Sequence, residues 1–335
     1  MRIADLPRAT VPRAQLVTAS EVAAILGCSP WQTPLQVWRR KQGRGSNADT
    51  VATRAGNSGE IVLRDWYARN VADGPVQPGL SYADTPIAGP KSWMAASPDA
   101  MAQVYPYQTP IVVEFKTSGQ PMDYLPHYYR SQCDWLLGCI PAPAVELVAA
   151  VEMPDRLRAL LGSTDPHEVA KGQEAFGAML AAGVVEVRRF MVERDDQRIA
   201  ALIAQVEQWH DAHMLAGFPP SPQPGDAEFI ADTFDPAPAS AWDDAALAPL
   251  VAAYREAQAA QKDADATADV AKAALLMALE QAGGEEWPTS AGKVSFKAQA
   301  GRASVDQKAL QAQWPDVYAK VSKIGSPFRV LRLGK

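Results

Sequence analysis

Two short segments contain the residues best suited to chemistry, SPD at 97–99 and IVVEFKT at 111–117. The second segment is rich in β-branched residues and predicts a strand. Side chains alternate between the two faces of a strand, so Glu114 and Lys116 are predicted to share one face. A short hairpin over residues 100–110 would bring Asp99 beside Glu114. The sequence therefore predicts two carboxylates and one ammonium group at a single point.

Two converging carboxylates form a site of hard oxygen ligands, which suits Mg²⁺. Asp99 and Glu114 would supply these ligands, and the backbone carbonyl of Phe115 would add another. Such an ion lowers the pKa of a bound water and neutralises charge during phosphodiester hydrolysis. Lys116 would orient that water or stabilise the developing negative charge. The alternative for Glu114 and Lys116 alone is a surface ion pair on an edge strand.

Helices and strands alternate around these segments. The helical segments are predicted at 18–40 with an interruption near Pro30, 59–70, 126–137 and 197–216, and the strands at 93–96, 101–105, 111–117, 145–151 and 184–192. Residues 41–56 are polar and predict a loop. Thr18 and Glu21 have the T-x-x-E spacing of a capping box. The order predicts an α/β (α+β) fold, with a mixed β-sheet flanked by helices.

The composition changes after Phe218, because six prolines fall between Pro219 and Pro238. Three parts are predicted: a first domain at 1–218, a Pro-rich linker at 219–244 and a C-terminal accessory domain at 245–335. The accessory domain is predicted to contain a helix at 245–282, a hairpin near 286–297, a helix at 304–311 and a strand at 328–333. Its end carries nine Lys or Arg after Ser290 against two acids. This basic end is either a nucleic-acid contact or a solvated surface.

The bulk composition is that of a folded protein, with 335 residues, 47% of them hydrophobic and 21% charged. The net charge of −6 argues only weakly against nucleic-acid binding, because binding follows local patches. The three cysteines do not form a disulfide framework. No signal-like or long apolar segment is evident, so a cytoplasmic protein without a membrane partner is expected.

Together, SPD at 97–99 and EFK at 114–116 resemble the signature of PD-(D/E)XK nucleases. More narrowly, the chain resembles the YqaJ-type viral recombinase, or lambda exonuclease-like, family. Further stretches match that family over residues 13–218: LVTASEV at 16–22, Gly59-Glu60, YRSQ at 129–132 and VERDD at 192–196. The resemblance implies a PD-(D/E)XK nuclease core, with the C-terminal third as an added helical and small-β extension.

The resemblance also assigns roles to individual residues. Asp99 and Glu114 would hold the metal, with Glu60 as a further ligand or a base that positions water. Lys116 would be catalytic, and Gln132 would orient substrate or water. From the residues alone, Glu60 is equally a helix N-terminal acid that the helix dipole favours. Gln132 alone could equally be an ordinary polar residue of a helix.

Arg13 and Ser20 match the residues with which the family binds a 5′ phosphate. Ser20 is predicted in the first turn of a helix, where free N–H groups attract phosphate. The alternative is that Ser20 is a plain first-turn residue and Arg13 a surface charge. Among other candidates, Trp31 is interpreted as a core residue. A set of tyrosines near the presumed site is considered for DNA contacts: Tyr124, Tyr128 and Tyr129.

The resemblance implies a Mg²⁺-dependent exonuclease, with Mn²⁺ able to substitute, that resects double-stranded DNA from 5′ to 3′ for phage-type recombination. It also implies a ring-shaped homotrimer, a phage single-strand annealing protein as partner, and a phage or prophage protein in the bacterial cytoplasm. Two alternatives stay open. One is an endonuclease or nickase of the same superfamily, and the other is a non-catalytic DNA-binding or assembly protein.

Overall fold

The computed structural model describes residues 1–45, 49–80, 84–234, 244–283, 285–298, 305–322 and 331. The chain divides into two compact units, Met1–Asp235 and Pro236–Lys335. Within the described ranges, no helix is both long and apolar enough to cross a membrane. Every predicted site residue lies in the first unit.

The first unit contains eight α-helices and eight strands among its described residues. Its helices are α1 (Ala19–Ile25), α2 (Pro34–Lys41), α3 (Val51–Asn70), α4 (His127–Cys139), α5 (Asp155–Leu161), α6 (Pro166–Ala181), α7 (Asp196–Trp209) and α8 (Asp226–Asp232). Its strands are β1 (Val17–Thr18), β2 (Gln77–Pro78), β3 (Ile87–Ala88), β4 (Met94–Ala96), β5 (Ala100–Ala102), β6 (Ile111–Thr117), β7 (Ala144–Val151) and β8 (Glu186–Glu193). A π-helical segment, His210–Leu215, follows α7 directly.

The main sheet has five strands in the order β2-β5-β6-β7-β8. β6 pairs antiparallel with β5 and parallel with β7, and β7 pairs antiparallel with β8. The mixed α/β architecture predicted from the sequence is therefore confirmed. Because β6 lies at the centre of this sheet, the alternative that places Glu114 and Lys116 on an edge strand is wrong.

Each face of the main sheet packs against its own set of helices. Alternate residues of β6 belong to different cores: Val112 packs with α4 residues such as Trp135, whereas Val113 and Phe115 pack with Leu63 of α3. All eight residues of β7 are buried, as expected of a central strand covered on both faces. The sheet is thus a fixed platform between two apolar layers.

Several element boundaries differ from the sequence-based expectations. The helix predicted from residue 59 begins at Val51, because Thr50 caps it by accepting a hydrogen bond from the N–H of Thr53 at 3.1 Å. The long helix predicted to 216 changes to π-helical geometry at His210. The predicted strand at 101–105 is shorter and begins at Ala100.

The range predicted as a linker contains α8, which is bound to α2. Thr33 donates to the Asp226 carboxylate at 2.5 Å, and the Arg39 guanidinium donates to the Thr233 carbonyl at 3.1 Å. The first unit therefore extends to residue 235, beyond the predicted boundary at 218. The assignment of a nuclease domain, linker and accessory domain stays a prediction.

The second unit contains α9 (Asp244–Ala282), β9 (Glu286–Thr289), β10 (Gly292–Ser295), α10 (Gln307–Gln313) and α11 (Pro315–Val321). β9 and β10 form the predicted hairpin, in which Lys293 pairs with Glu286 at 2.6 Å. The predicted strand at 328–333 lies outside the described residues, apart from residue 331.

The turn before β5 depends on a glycine in the neighbouring chain segment. Gly79 donates its N–H to the Asp99 carbonyl at 2.9 Å, and Leu80 donates to the Pro98 carbonyl at 3.2 Å. A Cβ at position 79 would lie 1.8 Å from the Pro98 oxygen. Only glycine allows this approach, which holds Asp99 in place.

We expect Gly79→Ala to destabilise the protein, because the new methyl group must displace the backbone around Asp99. The loss should be about 1–3 kcal/mol in the free energy of unfolding, measured by urea denaturation. Gly74→Ala is the matched control, since its Cβ would meet only Gln103 Cβ at 3.7 Å. Equal stabilities for the two variants would contradict this reading of the turn.

Candidate active site

Glu114 is a buried carboxylate on the central strand, with 2% of its surface exposed. Its Oε1 accepts hydrogen bonds from Lys116 Nζ on the same strand and from Gln132 Nε2 on α4. Its Oε2 is buried and has no hydrogen-bond partner among the described residues. Hydrogen bonds from Lys116 and Gln132 therefore hold one carboxylate oxygen, and the part of the chain that the structure describes provides none for the other.

Asp99 lies on the neighbouring strand, directly beside Glu114. Ala100 is in register with Val113 in the antiparallel pair β5–β6, which places Asp99 opposite Glu114. The Asp99 Oδ2 accepts a hydrogen bond from the backbone N–H of Phe115 at 2.8 Å. The predicted hairpin is thus present, and it places the two carboxylates side by side.

Glu60 approaches the same point from α3. It is the tenth residue of this helix, so the alternative of a helix N-terminal acid is wrong. Gly59 beside it is buried, and a Cβ there would lie 2.9 Å from the Thr117 side chain at the end of β6. This close packing between helix and strand brings Glu60 near the Asp99 carboxylate.

Burial raises the pKa values of all three carboxyl groups. Burial, together with the Asp99 charge, raises the pKa of Glu114 to about 8 and that of Glu60 to about 7. Burial also raises the pKa of Asp99, although Lys116 opposes the shift. Burial would lower the pKa of Lys116, but Glu114 and Asp99 outweigh it, and the pKa lies above its ordinary value. A cation among these carboxylates would offset the repulsion.

The segment that carries Ser20 is fixed by a partly buried ion pair. Glu21 accepts from the N–H and the hydroxyl of Thr18, both at 2.9 Å, so the predicted capping box is present. Lys41 of α2 reaches Glu21 at 2.7 Å. Ser20 itself is exposed, and its hydroxyl lies 3.5 Å from that of Thr18.

One cavity of about 490 Å³ joins all the predicted site residues. Its walls include residues from several segments that lie far apart in the chain, among them Arg13, Ser20, Glu60, Asp99, Glu114, Phe115, Lys116 and Gln132. The structure therefore brings the predicted metal-binding, catalytic and phosphate-binding residues to one place. The roles assigned to them stay predictions.

Three further residues contribute to this region, although sequence patterns did not single them out for it. Arg64 lies one turn after Glu60 on α3, and its charge lowers the pKa of Glu60 and of Asp99. Ser97 lines the cavity with a buried hydroxyl that has no hydrogen-bond partner within the described part of the chain. Trp31 also lines the cavity and is 62% exposed, so its interpretation as a core residue was wrong. The i, i+4 spacing of Glu60 and Arg64 was the available signal for Arg64.

The residues present suit a divalent cation, because Oε2 of Glu114 is buried and accepts no hydrogen bond from any residue that the structure describes. Among the described residues, no group of three or more His, Cys, Asp and Glu side chains forms a preformed metal cage. Mg²⁺ does not require one, because it is commonly held by one or two carboxylates together with water and phosphate oxygens. Asp99 and Glu114 supply two such carboxylates on adjacent strands.

Residues 11–140 match the family described as the YqaJ-like viral recombinase domain, which confirms the resemblance seen in the motifs. An alkaline exonuclease, LHK-Exo from Laribacter hongkongensis, is similar at 18% identity over 61% of this chain and 90% of that chain, with a TM-score of 0.39. LHK-Exo in complex with dAMP is similar at 15% identity over the same shares, with a TM-score of 0.37. No curated protein matches the chain.

The raised pKa of Glu114 predicts a pH-dependent stability in the absence of metal. Native Glu114 keeps its proton up to a pKa of about 8, whereas an unfolded glutamate loses it near its ordinary value. The native state therefore binds more protons within that window, and the free energy of unfolding should fall as the pH rises through it. Urea denaturation in EDTA at about pH 6 and about pH 9 measures this fall.

Glu114→Gln should make this fall smaller, because the amide has no proton to lose. The exposed Glu168 of α6 offers a control, since Glu168→Gln should leave the fall unchanged. A fall of the same size in Glu114→Gln and in the wild type would mean that Glu114 is not the titrating group.

Proposed function

We propose that this chain, which contains a YqaJ-like viral recombinase domain at residues 11–140, is a metal-dependent deoxyribonuclease that hydrolyses double-stranded DNA from its ends. One observation carries the proposal. Glu114 is buried on the central strand, with one oxygen held by Lys116 and Gln132 and the other without a hydrogen-bond partner in the described ranges. This arrangement is suited to a cation and a phosphodiester, and a structural ion pair would not require the unpaired oxygen.

Asp99 and Glu114 would hold Mg²⁺, with Mn²⁺ as a substitute, and the Phe115 carbonyl and Glu60 would complete the protein's share of the ligands. When bound, the ion supplies an acidified water and neutralises phosphate charge. Two carboxylates with raised pKa values support this assignment, because they lose their protons more readily once a cation is near.

Lys116 would act on the phosphodiester itself. Its Nζ is bound to Glu114 Oε1, and its side chain is 20% exposed towards the cavity. The carboxylates keep it protonated. It would hold the attacking water in line with phosphorus and stabilise the negative charge that develops on the phosphate oxygens. Gln132 would fix Glu114 so that its free oxygen faces the cavity.

Arg13 and Ser20 would bind the 5′ phosphate of the strand that is cut, which would give 5′ to 3′ polarity. The support is their position in the wall of the same cavity as Glu114 and Lys116. A guanidinium and a hydroxyl are suitable donors for a terminal phosphate. A ring-shaped trimer and an annealing protein as partner belong to this proposal by family resemblance. The second unit is a candidate surface for that partner.

We expect Lys116→Ala to reduce cleavage of linear duplex DNA by roughly 100-fold or more, because charge stabilisation in the transition state is lost. DNA binding should change little, since one cation among many contacts is removed. End-labelled linear duplex with Mg²⁺ is the substrate, and EDTA should abolish cleavage by the wild type. The exposed Lys171 of α6 provides a control in Lys171→Ala. Cleavage by Lys116→Ala at the wild-type rate would overturn the site assignment.

Closed circular DNA separates the two nuclease functions in the same assay. An exonuclease leaves it intact while it degrades the linear form, whereas an endonuclease or nickase cuts both.

Removal of the 5′ phosphate should slow digestion by the wild type, because the contacts with Arg13 and Ser20 are lost. Ser20→Ala should reduce this difference between phosphorylated and dephosphorylated ends. Initial rates on the two substrates, measured at several DNA concentrations, test both statements. Equal rates on the two ends in the wild type would exclude a 5′-phosphate site here.

A further inference from the structure

A second cavity, of about 690 Å³, adjoins the candidate active site. The two cavities share four wall residues: Trp31, Ala52, Thr117 and Tyr129. Its remaining walls come mainly from the loop between β6 and α4, at residues 118–126. A strand whose phosphate lies at Lys116 would therefore have this second cavity directly beside it.

Aromatic rings dominate one wall of the second cavity. Trp31 contacts Tyr128 edge to face at 4.9 Å between ring centroids, and Tyr128 contacts Tyr129 at 4.5 Å. Trp31 is 62% exposed, and Tyr124, in the loop at residues 118–126, is 76% exposed. Exposed aromatic rings that share a wall are unusual for a surface without a ligand. Flat apolar faces of this kind suit other flat rings.

Hydrogen bonds and buried side chains support the loop that carries Tyr124. Gln120 donates its N–H to Ser118 Oγ at 3.0 Å, and Met153 donates to the Ser118 carbonyl at 2.9 Å. Met122, which belongs to this loop, buries its side chain in the core. On the opposite side, the N–H of Trp31 donates to Ser29 Oγ at 3.2 Å. The aromatic wall is therefore attached to ordered backbone on both sides.

A positive charge lies in the same cavity. Arg158 of α5 lines it and is packed against Gly119, where a Cβ would lie 2.1 Å from its Nη1. Its partner Asp155 is 3.2 Å away, and the Asp155 side chain is 99% exposed, so their pairing is weak. At the other end, Lys116 Nζ lies 5.6 Å from the centre of the Tyr129 ring. Two cations therefore border the aromatic rings, Arg158 in the second cavity and Lys116 beside Tyr129.

We propose that this aromatic groove, defined by Trp31, Tyr124, Tyr128, Tyr129 and Arg158, binds unpaired nucleobases of the strand that is cut. The bases would stack on the exposed faces of Trp31 and Tyr124, and Arg158 would contact a phosphate of the same strand. Stacking between bases and aromatic side chains, with cations along the backbone, is the usual mode of single-strand binding. The inference rests on the proposed function, because it takes the strand to be DNA.

The occupant is an unpaired strand because a base in a duplex offers its ring faces only to its neighbours in the stack. A groove that binds ring faces must therefore receive bases that have left the duplex. This would separate the strand to be cut from its complement at the active site. Stacking tolerates any base, which suits an enzyme that degrades DNA of any sequence.

Binding of a fluorescently labelled single-stranded oligonucleotide in EDTA tests the inference without cleavage. Trp31→Ala and Tyr124→Ala should each weaken binding by roughly tenfold, which is the size expected for one lost stacking contact. Trp31→Phe should restore most of the affinity, since it keeps an aromatic face. Tyr105→Ala is the matched control, because Tyr105 is 85% exposed and lies in the loop at the other end of β6.

An oligonucleotide with abasic sites separates base stacking from backbone charge. The wild type should bind it more weakly than the normal oligonucleotide, and this difference should be smaller in Trp31→Ala, which retains only the stacking on Tyr124. Equal binding of both by the wild type, or wild-type affinity in Trp31→Ala and Tyr124→Ala, would overturn the inference. The proposed function is tested separately, by cleavage of linear duplex DNA. If Lys116→Ala is inactive in that assay, the proposed function would stand even when the binding assay overturns the aromatic groove. If the wild type cut no DNA with any divalent metal, the proposed function would fail by itself.

Discussion

The burial of Glu114 on the central strand is the interaction on which the site depends. Removing a carboxylate from water costs several kcal/mol unless charges and hydrogen bonds compensate. Lys116 and Gln132 compensate one of its oxygens, and the other has no partner within the described residues. The fold is therefore locally unfavourable at this point, which is common where a protein is built for a ligand. Asp99 and Glu60 increase the excess of negative charge.

The pairing of β6 on both sides determines which groups meet Glu114. Its antiparallel pairing with β5 brings Asp99 beside it, and the hydrogen bond from the Phe115 amide fixes that carboxylate. Its parallel pairing with β7 requires a crossover, and α4 in this crossover carries Gln132 and Tyr129. One strand thus positions a neighbouring carboxylate, an amide and an aromatic ring. The packing of Gly59 against Thr117 adds Glu60 from the third direction.

The candidate active site and the aromatic groove are two parts of one surface. Both adjoin the carboxyl end of β6, where the chain leaves the sheet, and Thr117 lines both cavities. Charged groups collect in the first part and flat apolar rings in the second, with Tyr129 and Trp31 in both. A polynucleotide has the same two components, a charged backbone and flat bases. The net charge of −6 does not reveal this division, because it averages over the whole chain.

Local patterns were sufficient for much of the architecture and of the site. The strand IVVEFKT has the predicted bounds, and its alternation separates Glu114 and Lys116 from Phe115. The predicted T-x-x-E spacing forms the cap of α1. These features depend on neighbouring residues, whose types and spacing are written in the sequence. Similarly, the spacing of SPD and EFK indicated which carboxylates would meet.

Only the tertiary structure decided that β6 is a central strand, that Glu60 lies in the middle of a helix, and that Trp31 is exposed beside the site. Each of these depends on contacts between segments far apart in the chain. The surroundings of Trp31, for example, come from α4 and the β6–α4 loop, about a hundred residues away. Sequence periodicity reports the preference of a residue for burial. Which neighbours cover that residue is determined by the packing of the whole fold.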